Sequence, residues 1–314
     1  MVIIIFLDRI DTINRLTRET PAALVARAEQ DFGHRLDDAV QRLCDDAQKR
    51  IILLAGPSAS GKTTSAAMLT KRLAALGSRA VTVSLDDFYK ERQDAPSGAD
   101  GTPDYESVHA LDLDEMHRCF FALMETGRSA LPLFDFAGGG VRAAQRRELA
   151  LGAGDVIIVE GLHALNPLIA EALPQSSLFK IYISVSTRLH NHLGATVFSK
   201  TELRFLRRMV RDYQFRASSV ENTYQLWGNV LRGEDEYLFP FRHTADVRIN
   251  SMHAYEVGLL RGMAQPLLRQ VKADSRCAAD AAQLCAKLDA AEPLDAALVP
   301  EGSLLREFIG GLVL

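Results

Sequence analysis

The 314-residue sequence lacks the features typical of disulfide scaffolds, metal-binding modules and general nucleic-acid binders. Its cysteines are few, contain no CxxC pair and are scattered, at Cys44, Cys119, Cys277 and Cys285. This distribution argues against a disulfide framework or a cysteine metal site and fits a reducing cytosol. Lys and Arg number 36 against 40 Asp and Glu, a net charge of −4, so general nucleic-acid binding is not expected.

Long hydrophobic runs are also missing. The N-terminal run VIIIFL at 2–7 is far shorter than the ~20 apolar residues that span a bilayer. No basic segment or small-residue cleavage site accompanies it, so neither a signal peptide nor a membrane anchor is predicted. We interpret this run as a short strand or buried anchor, and we expect a cytoplasmic protein. A homo-oligomer is compatible with the sequence.

The middle of the chain alternates short apolar runs with segments of helical periodicity. Strands are predicted at 51–55, 80–85, 156–159 and 179–183, with a weaker one at 247–249. Helices are predicted at 21–49, 62–76 and 112–126, the last two closed by Gly77 and Gly127. This alternation predicts an α/β fold with a parallel sheet of about five strands covered on both faces.

Three regions are expected along the chain. They are a helical N-terminal extension (1–48), a central α/β domain (49–272) and a helical C-terminal tail (273–314). Two stretches read as loops, 91–103 and the glycine-rich 137–140.

The strongest motif is GPSASGKT at 56–63, a full GxxxxGK[ST] match that follows a predicted strand and opens a predicted helix. Its glycines let successive backbone N–H groups face phosphate oxygens, and the helix N-terminus adds partial positive charge. Lys62 would reach the outer phosphates and the Thr63 hydroxyl would ligate Mg²⁺. The predicted nucleotide-binding residues are Gly56, Pro57, Ser58, Ala59, Ser60, Gly61, Lys62, Thr63 and Thr64.

Acidic residues follow two predicted strands. Glu160 ends the run at 156–159, where phosphate-loop enzymes place a second magnesium-linked acid, although a strand-end Glu facing water is the alternative. Asp86 and Asp87, in SLDDFY at 84–89, follow another strand, and ligands of open α/β sheets gather at such carboxyl ends. One of the two could cap the next segment, and we expect Asp86 to face the site as a proton acceptor.

A helix rich in arginine is predicted around 204–212. At about 100° per residue, Arg204, Arg208 and Arg211 share one face and Arg207 lies beside it. Such a face could stabilise a transferring phosphoryl group as part of a mobile lid. A solvated charged face and a contact with nucleic acid are the alternatives. His163, close to the Glu160 strand end, is expected to be a hydrogen-bonded loop histidine.

Together these segments resemble the uridine kinase and phosphoribulokinase family of phosphate-loop kinases. The resemblance rests on GPSASGKTT, SLDDFY, LPLFDF, VIIVEGLHALNP, ELRFLRRMVRDYQFR and GEDEYLFPF, which occur in the family's order from about 49 to 260. The final LLREFIGG is similar to the C-terminus of the bacterial uridine kinase-like branch. That branch often carries an N-terminal domain related to threonyl-tRNA synthetase, which leaves an RNA-associated role as an alternative.

The resemblance implies roles for individual positions. Asp86 matches the general base, and Thr63 and Glu160 match the magnesium-linked residues, with Lys62 and Arg207 as further catalytic groups. The implied substrate-binding residues are Tyr89, Glu106 for ribose hydroxyls, Phe134 for the base, and Arg204. The implied phosphate-binding lid residues are Arg204, Arg207, Arg208 and Arg211. ATP and Mg²⁺ are the implied cofactors.

The acceptor implied by the resemblance is a small-molecule hydroxyl, with a nucleoside such as uridine first. Uridine–cytidine kinases place a histidine shortly after the FDF-like motif, whereas this chain has AGGGVR at 137–142. The segment 190–203 also departs from the family pattern. These departures leave open another ribosyl compound, a small alcohol, or a regulatory NTPase.

Overall fold

The computed structural model describes residues 7–98, 101, 103–135 and 140–313. The strands in these ranges are β1 (Ile51–Ala55), β2 (Ala80–Ser84), β3 (Arg128–Leu131), β4 (Phe134–Asp135), β5 (Val141–Arg142), β6 (Arg147–Ala150), β7 (Val156–Glu160), β8 (Leu178–Ser184), β9 (Leu189–His190), β10 (Thr196–Phe198) and β11 (Val247–Asn250). The helices are α1 (Ile10–Glu19), α2 (Pro21–Cys44), α3 (Lys62–Ala75), α4 (Leu113–Thr126), α5 (Pro167–Ala170), α6 (Lys200–Phe215), α7 (Val220–Tyr237), α8 (Glu256–Arg269), α9 (Ala278–Lys287) and α10 (Arg306–Ile309).

Five strands form the main sheet, in the order β11-β8-β1-β7-β2, and all neighbours run parallel. The strand β1 is central, with Leu54 opposite Glu160 on one side and Ile181 on the other. The carboxyl ends of β1, β2 and β7 therefore meet at one edge. The predicted α/β fold with a five-stranded parallel sheet is confirmed.

The sheet is covered on both faces because alternate residues of each strand point to opposite sides. Ile52 and Leu54 of β1 belong to a core cluster with α2, α3, α6 and α8, whereas Ile51 and Leu53 pack with α4 and α5. All four of these side chains are buried. The continuous apolar run that predicted β1 thus reflects a strand buried on both faces.

Both ends of the described chain join the first of these clusters. Ile10 and Phe32 from α1 and α2, together with Leu304 and Phe308 near α10, are buried in the same core as Ile52. The helix predicted to reach residue 49 ends at Cys44, where the chain turns towards β1. The domain limits at 48 and 272 remain predictions.

Some predicted features fall outside the described residues: the run at 2–7 except for Leu7, residues 99, 100 and 102 of the 91–103 loop, and the stretch 137–140 except for Gly140. Across the described ranges, every helix is too short or too polar to cross a lipid bilayer.

Candidate active site

The phosphate-loop motif folds into the predicted strand–loop–helix unit between β1 and α3. Gly56 is required by a close approach, since a Cβ there would lie 2.1 Å from the carbonyl oxygen of Ile183. Gly61, the residue before α3, has φ +85°, and Ala59 also has positive φ, 59°. Glycine adopts this left-handed backbone without strain. The resulting tight turn directs the first amides of α3 towards the end of the sheet, where an anion would bind.

A buried carboxylate holds the loop from the side. The Ser58 N–H donates to Oε1 of Glu234 at 2.8 Å, and Glu234 is fully buried. Arg204 donates to both carboxylate oxygens of Glu234, at 2.6 and 2.8 Å, and to the carbonyl of Ser58. Arg204 also stacks near the ring of Trp227, 5.5 Å from its centroid. Arg204 therefore fixes the phosphate loop, with its guanidinium held by Glu234.

Arg207 is buried in a similar way. Its side chain has no exposed surface, forms an ion pair with Glu256 and donates to the carbonyl oxygens of Ser251 and Ala59. The Phe308 ring lies 5.1 Å from its guanidinium. Both charges are paired with buried glutamates, so the alternative of a solvated charged face is wrong for Arg204 and Arg207. Their assignment to substrate and phosphate binding stays a prediction.

The helix α6 that carries these arginines is part of the core. Its apolar side chains Leu203, Phe205, Leu206, Met209 and Val210 are buried. Ser199 and Glu202 form a capping box at its N-terminus, which stabilises the first turn. A lid built on α6 would therefore have to move together with the elements packed on this apolar face, and the mobile lid stays a prediction.

The remaining arginines do form a cationic cluster. Arg208, Arg211 and Arg216 converge on one carboxylate, Asp212, at 3.2, 2.7 and 3.6 Å. Three guanidinium groups around one acid leave an excess of positive charge. Burial raises the pKa of Asp86, and Lys62, Arg216 and Arg211 oppose that rise, so the charge of this cluster acts on the site. Arg208 also donates to Ser58 Oγ at 2.9 Å and lies 5.9 Å from the Trp227 ring.

Thr63 and Glu160, the predicted magnesium pair, lie together. The exposed Thr63 hydroxyl donates to Oε1 of Glu160 at 3.4 Å, and Ser84 donates to the same oxygen at 2.8 Å. Burial, with a further contribution from the charge of Asp86, raises the pKa of Glu160 to about 7. A divalent cation would stabilise the buried Glu160 carboxylate and offset its repulsion from Asp86. Hydroxyl and carboxylate oxygens are ligands that Mg²⁺ prefers. The residues therefore fit a magnesium ion.

Asp86 and Asp87 differ in their surroundings. Asp87 lies 3.9 Å from Arg147, away from the loop. The Asp86 side chain is exposed at the surface, but the protein around it removes part of its hydration, and this desolvation raises its pKa. The nearby cations oppose the rise, and Lys62 has the largest effect among them. Lys62 itself donates to the carbonyl of Pro57 at 3.4 Å. Asp86 thus lies within the field of the phosphate-loop lysine, as expected for a proton acceptor at this site.

Two of the predicted acceptor-binding residues, Tyr89 and Phe134, are in contact. Tyr89 packs against Tyr105 and Phe134, with ring centroids 5.7 and 5.8 Å apart. Burial raises the pKa of the neighbouring Glu106 to about 7, with Arg208 opposing the rise and Glu234 adding to it. A Cβ on Gly233 would lie 2.4 Å from Cβ of Glu106, so helix α7 packs closely against Glu106. The next residue of α7, Glu234, contacts the phosphate loop at Ser58.

Sequence patterns did not assign several residues near the site. Glu234 lies in the segment GEDEYLFPF and Glu307 in the segment LLREFIGG, but the residues around them in the sequence do not indicate their contacts. Glu307 accepts a hydrogen bond from Thr64 at 2.5 Å. His163 is buried, and neither ring nitrogen has a hydrogen-bond partner among the described residues, contrary to expectation. Burial and the charge of Lys62 lower the His163 pKa to about 3.

The chain is similar in sequence to known kinases. A sequence model of the phosphoribulokinase/uridine kinase family matches residues 51–258. Uridine kinase from Deinococcus deserti is 28% identical over 202 residues, covering 63% of this chain and 86% of that protein. Uridine kinase from Staphylococcus haemolyticus is 27% identical over 204 residues, covering 65% and 88%.

Among solved structures, a possible uridine kinase from Bacillus stearothermophilus matches with 19% identity and a TM-score of 0.46, covering 68% of this chain and 98% of that one. The family model matches 51–258, and the same region holds the phosphate loop and the acids at the ends of β2 and β7. The chain therefore belongs to the phosphoribulokinase/uridine kinase family of phosphate-loop kinases, whose members transfer phosphoryl groups to hydroxyls.

Proposed function

We propose that this kinase uses ATP with Mg²⁺ to phosphorylate a hydroxyl of a nucleoside, with uridine as the first candidate. The observation that carries the proposal is the convergence of Lys62, Thr63, Glu160 and Asp86 at one edge of the sheet. Phosphoryl transfer depends on positioning and on charge stabilisation around the phosphates, and these four side chains supply both.

Each of the site residues has a distinct task in this proposal. The amides of the loop and α3 bind the nucleotide phosphates, and Lys62 places its charge on the outer ones. Thr63 and Glu160 would hold the magnesium ion, which when bound neutralises charge on the phosphates. Arg208, which donates to Ser58 Oγ, and Arg211 would support charge on the transferring group.

Asp86 is proposed as the general base. The acceptor hydroxyl oxygen forms a bond to the γ-phosphorus, the bond between that phosphorus and the bridging oxygen breaks, and ADP leaves. The hydroxyl proton passes to Asp86 Oδ. Because the pKa of Asp86 is raised, the carboxylate is more basic than an ordinary aspartate and is a better proton acceptor.

The nucleoside assignment is supported by the acceptor side of the site. The rings of Tyr89, Tyr105 and Phe134 offer apolar surface to a base. Glu106 would bind the ribose hydroxyls, and with a pKa of about 7 it can accept or donate a hydrogen bond. The uridine kinases among the relatives support the same choice. The cytosolic location suggested by the scattered cysteines stays a prediction.

An acceptor panel tests the proposal. ATP consumption is measured with uridine, cytidine, other nucleosides, ribosyl compounds and simple alcohols, and the mass of each product is checked. We expect consumption to rise strongly with a nucleoside and to yield its monophosphate. Turnover that is the same with and without every acceptor would contradict the proposal and favour a regulatory NTPase.

A further inference from the structure

The C-terminal segment, residues 303–309, lies against the phosphate loop although it is outside the family match at 51–258. A Cβ on Gly61 would lie 2.5 Å from a methyl group of Leu304. Phe308 contacts Arg207, which holds the Ala59 carbonyl. The tail therefore forms one wall of the loop.

One contact in this wall involves a residue of the loop motif itself. Thr64, in the first turn of α3, donates its hydroxyl proton to Oε2 of Glu307 at 2.5 Å, and the Thr64 side chain is buried. A hydroxyl has one proton to donate. While Glu307 accepts it, Thr64 cannot donate to a phosphate oxygen at the helix N-terminus.

The charge of Glu307 acts in the same direction as this hydrogen bond. The pKa of Glu160 is raised chiefly by burial and by the charge of Asp86, and Glu307 adds a smaller contribution, so its carboxylate is part of the negative field around the magnesium pair. A phosphate group approaching α3 meets this carboxylate at short range, and like charges repel. A divalent cation offsets the repulsion, whereas a metal-free nucleotide meets it in full.

We propose that Glu307 is a specificity-determining residue of the nucleotide site, which competes with the nucleotide phosphates for the Thr64 hydroxyl and disfavours nucleotides that arrive without a divalent cation. The inference rests on the nucleotide binding proposed above. It gives the C-terminal segment a part in substrate selection, in addition to its packing.

Glu307→Gln tests this directly, because it keeps the size of the side chain and removes the charge. ADP is titrated with the full chain by calorimetry, with magnesium chloride and with EDTA. We expect the metal-free Kd to fall about tenfold and the Kd with magnesium to fall less, about twofold, as for a like-charge contact in a partly screened site. Glu301→Gln, an exposed glutamate close by in the chain, is the matched control and should change neither constant.

A double variant shows whether Glu307 acts through Thr64. Thr64→Val has no hydroxyl to compete for, so adding Glu307→Gln in that background should improve the metal-free Kd by less than in the wild type. Equal gains in both backgrounds would overturn the competition and leave only a general charge effect. Unchanged or weaker ADP binding by Glu307→Gln would overturn the proposal as a whole.

Hydrogen exchange of the wild-type protein gives an independent readout if a variant does not fold. Bound ADP should protect the amides of 58–64, and those of 306–310 should exchange faster because Glu307 is displaced. Protection of both segments would overturn the inference and leave nucleotide binding intact. Absence of binding and of protection at 58–64 would instead reject the proposed function.

Discussion

Arg204 and Glu234 form a bidentate buried ion pair, and the Glu234 carboxylate also accepts a hydrogen bond from the Ser58 N–H. Helix α6 thus contacts the phosphate loop through a residue of helix α7. The pair is deeply buried, with side chains 5% and 0% exposed. Its loss would leave one buried charge without a partner, which is costly.

Arg204→Ala should therefore destabilise the protein by about 3–5 kcal/mol and weaken nucleotide binding, because Ser58 loses its anchor. Urea unfolding measures the first effect and ADP titration the second. Arg15→Ala on α1 is the control, since its side chain is 53% exposed and an exposed pair contributes about 1 kcal/mol at most. A variant Arg204→Ala as stable as the wild type would show that the pair does not hold the loop.

Lys62→Ala should lower acceptor-dependent turnover by about 10²–10³-fold, as for removal of one group that stabilises transition-state charge. A coupled ATP-consumption assay measures the loss. Lys71→Ala, in the same helix but beyond its first turn, should behave as the wild type. Near-normal turnover of folded Lys62→Ala would remove the basis of the proposed mechanism.

Asp86→Asn should bind nucleotide with magnesium at close to normal affinity while phosphorylation of the acceptor collapses, by about 10²–10⁴-fold. The amide keeps the size of the side chain but cannot take the proton. Asp87→Asn is the comparison, because Asp87 faces Arg147, and it should retain most turnover. The opposite result would move the base by one residue, and no effect of either change would favour a regulatory NTPase.

Glu106→Gln should raise the acceptor KM about 10- to 100-fold, the usual range for a hydrogen bond to a charged group, and should leave nucleotide affinity unchanged. Steady-state kinetics with varied acceptor measures this. Glu236→Gln, an exposed change on α7 with 53% of the side chain accessible, should alter neither constant. A loss of ADP affinity at an unchanged acceptor KM would assign Glu106 to the nucleotide side.

The pH dependence of magnesium binding follows from Glu160. Its pKa is raised to about 7, chiefly by burial, so below pH 7 the group is mostly protonated and a cation must displace the proton. Magnesium affinity should rise between pH 6 and pH 7 and level off above pH 8. Magnesium titration of the ADP complex at each pH measures it. Glu160→Gln should bind magnesium weakly and without this slope, and a slope that persists there would come from another group such as Asp86.

The parts of the site that the sequence predicts are those determined by local patterns. The loop at 56–63 and the strand ends carrying Asp86 and Glu160 depend on a few neighbouring residues and on the rule that ligands gather at carboxyl ends of parallel strands. The alternation of buried strands and helices was enough for the sheet, because each strand is buried on both faces.

The partners of the arginines could not be predicted because they are distant in sequence. Helical periodicity placed Arg204, Arg208 and Arg211 on one face, but only tertiary structure brings in Glu234, 30 residues from Arg204, and Glu256, 49 residues from Arg207. The contact between Thr64 and Glu307 spans 243 residues. Sequence spacing does not predict contacts between residues so far apart. A charged helix face is usually solvated, but here tertiary packing buries part of it.

The position of Trp227 has a practical consequence. It is the single tryptophan of the chain, and its ring lies between Arg204, which holds the phosphate loop, and Arg208, which donates to Ser58. Indole emission responds to nearby charge, so intrinsic fluorescence should report directly on events at the loop. Binding could then be followed in unlabelled protein, at low concentration and on the millisecond timescale of a stopped-flow instrument.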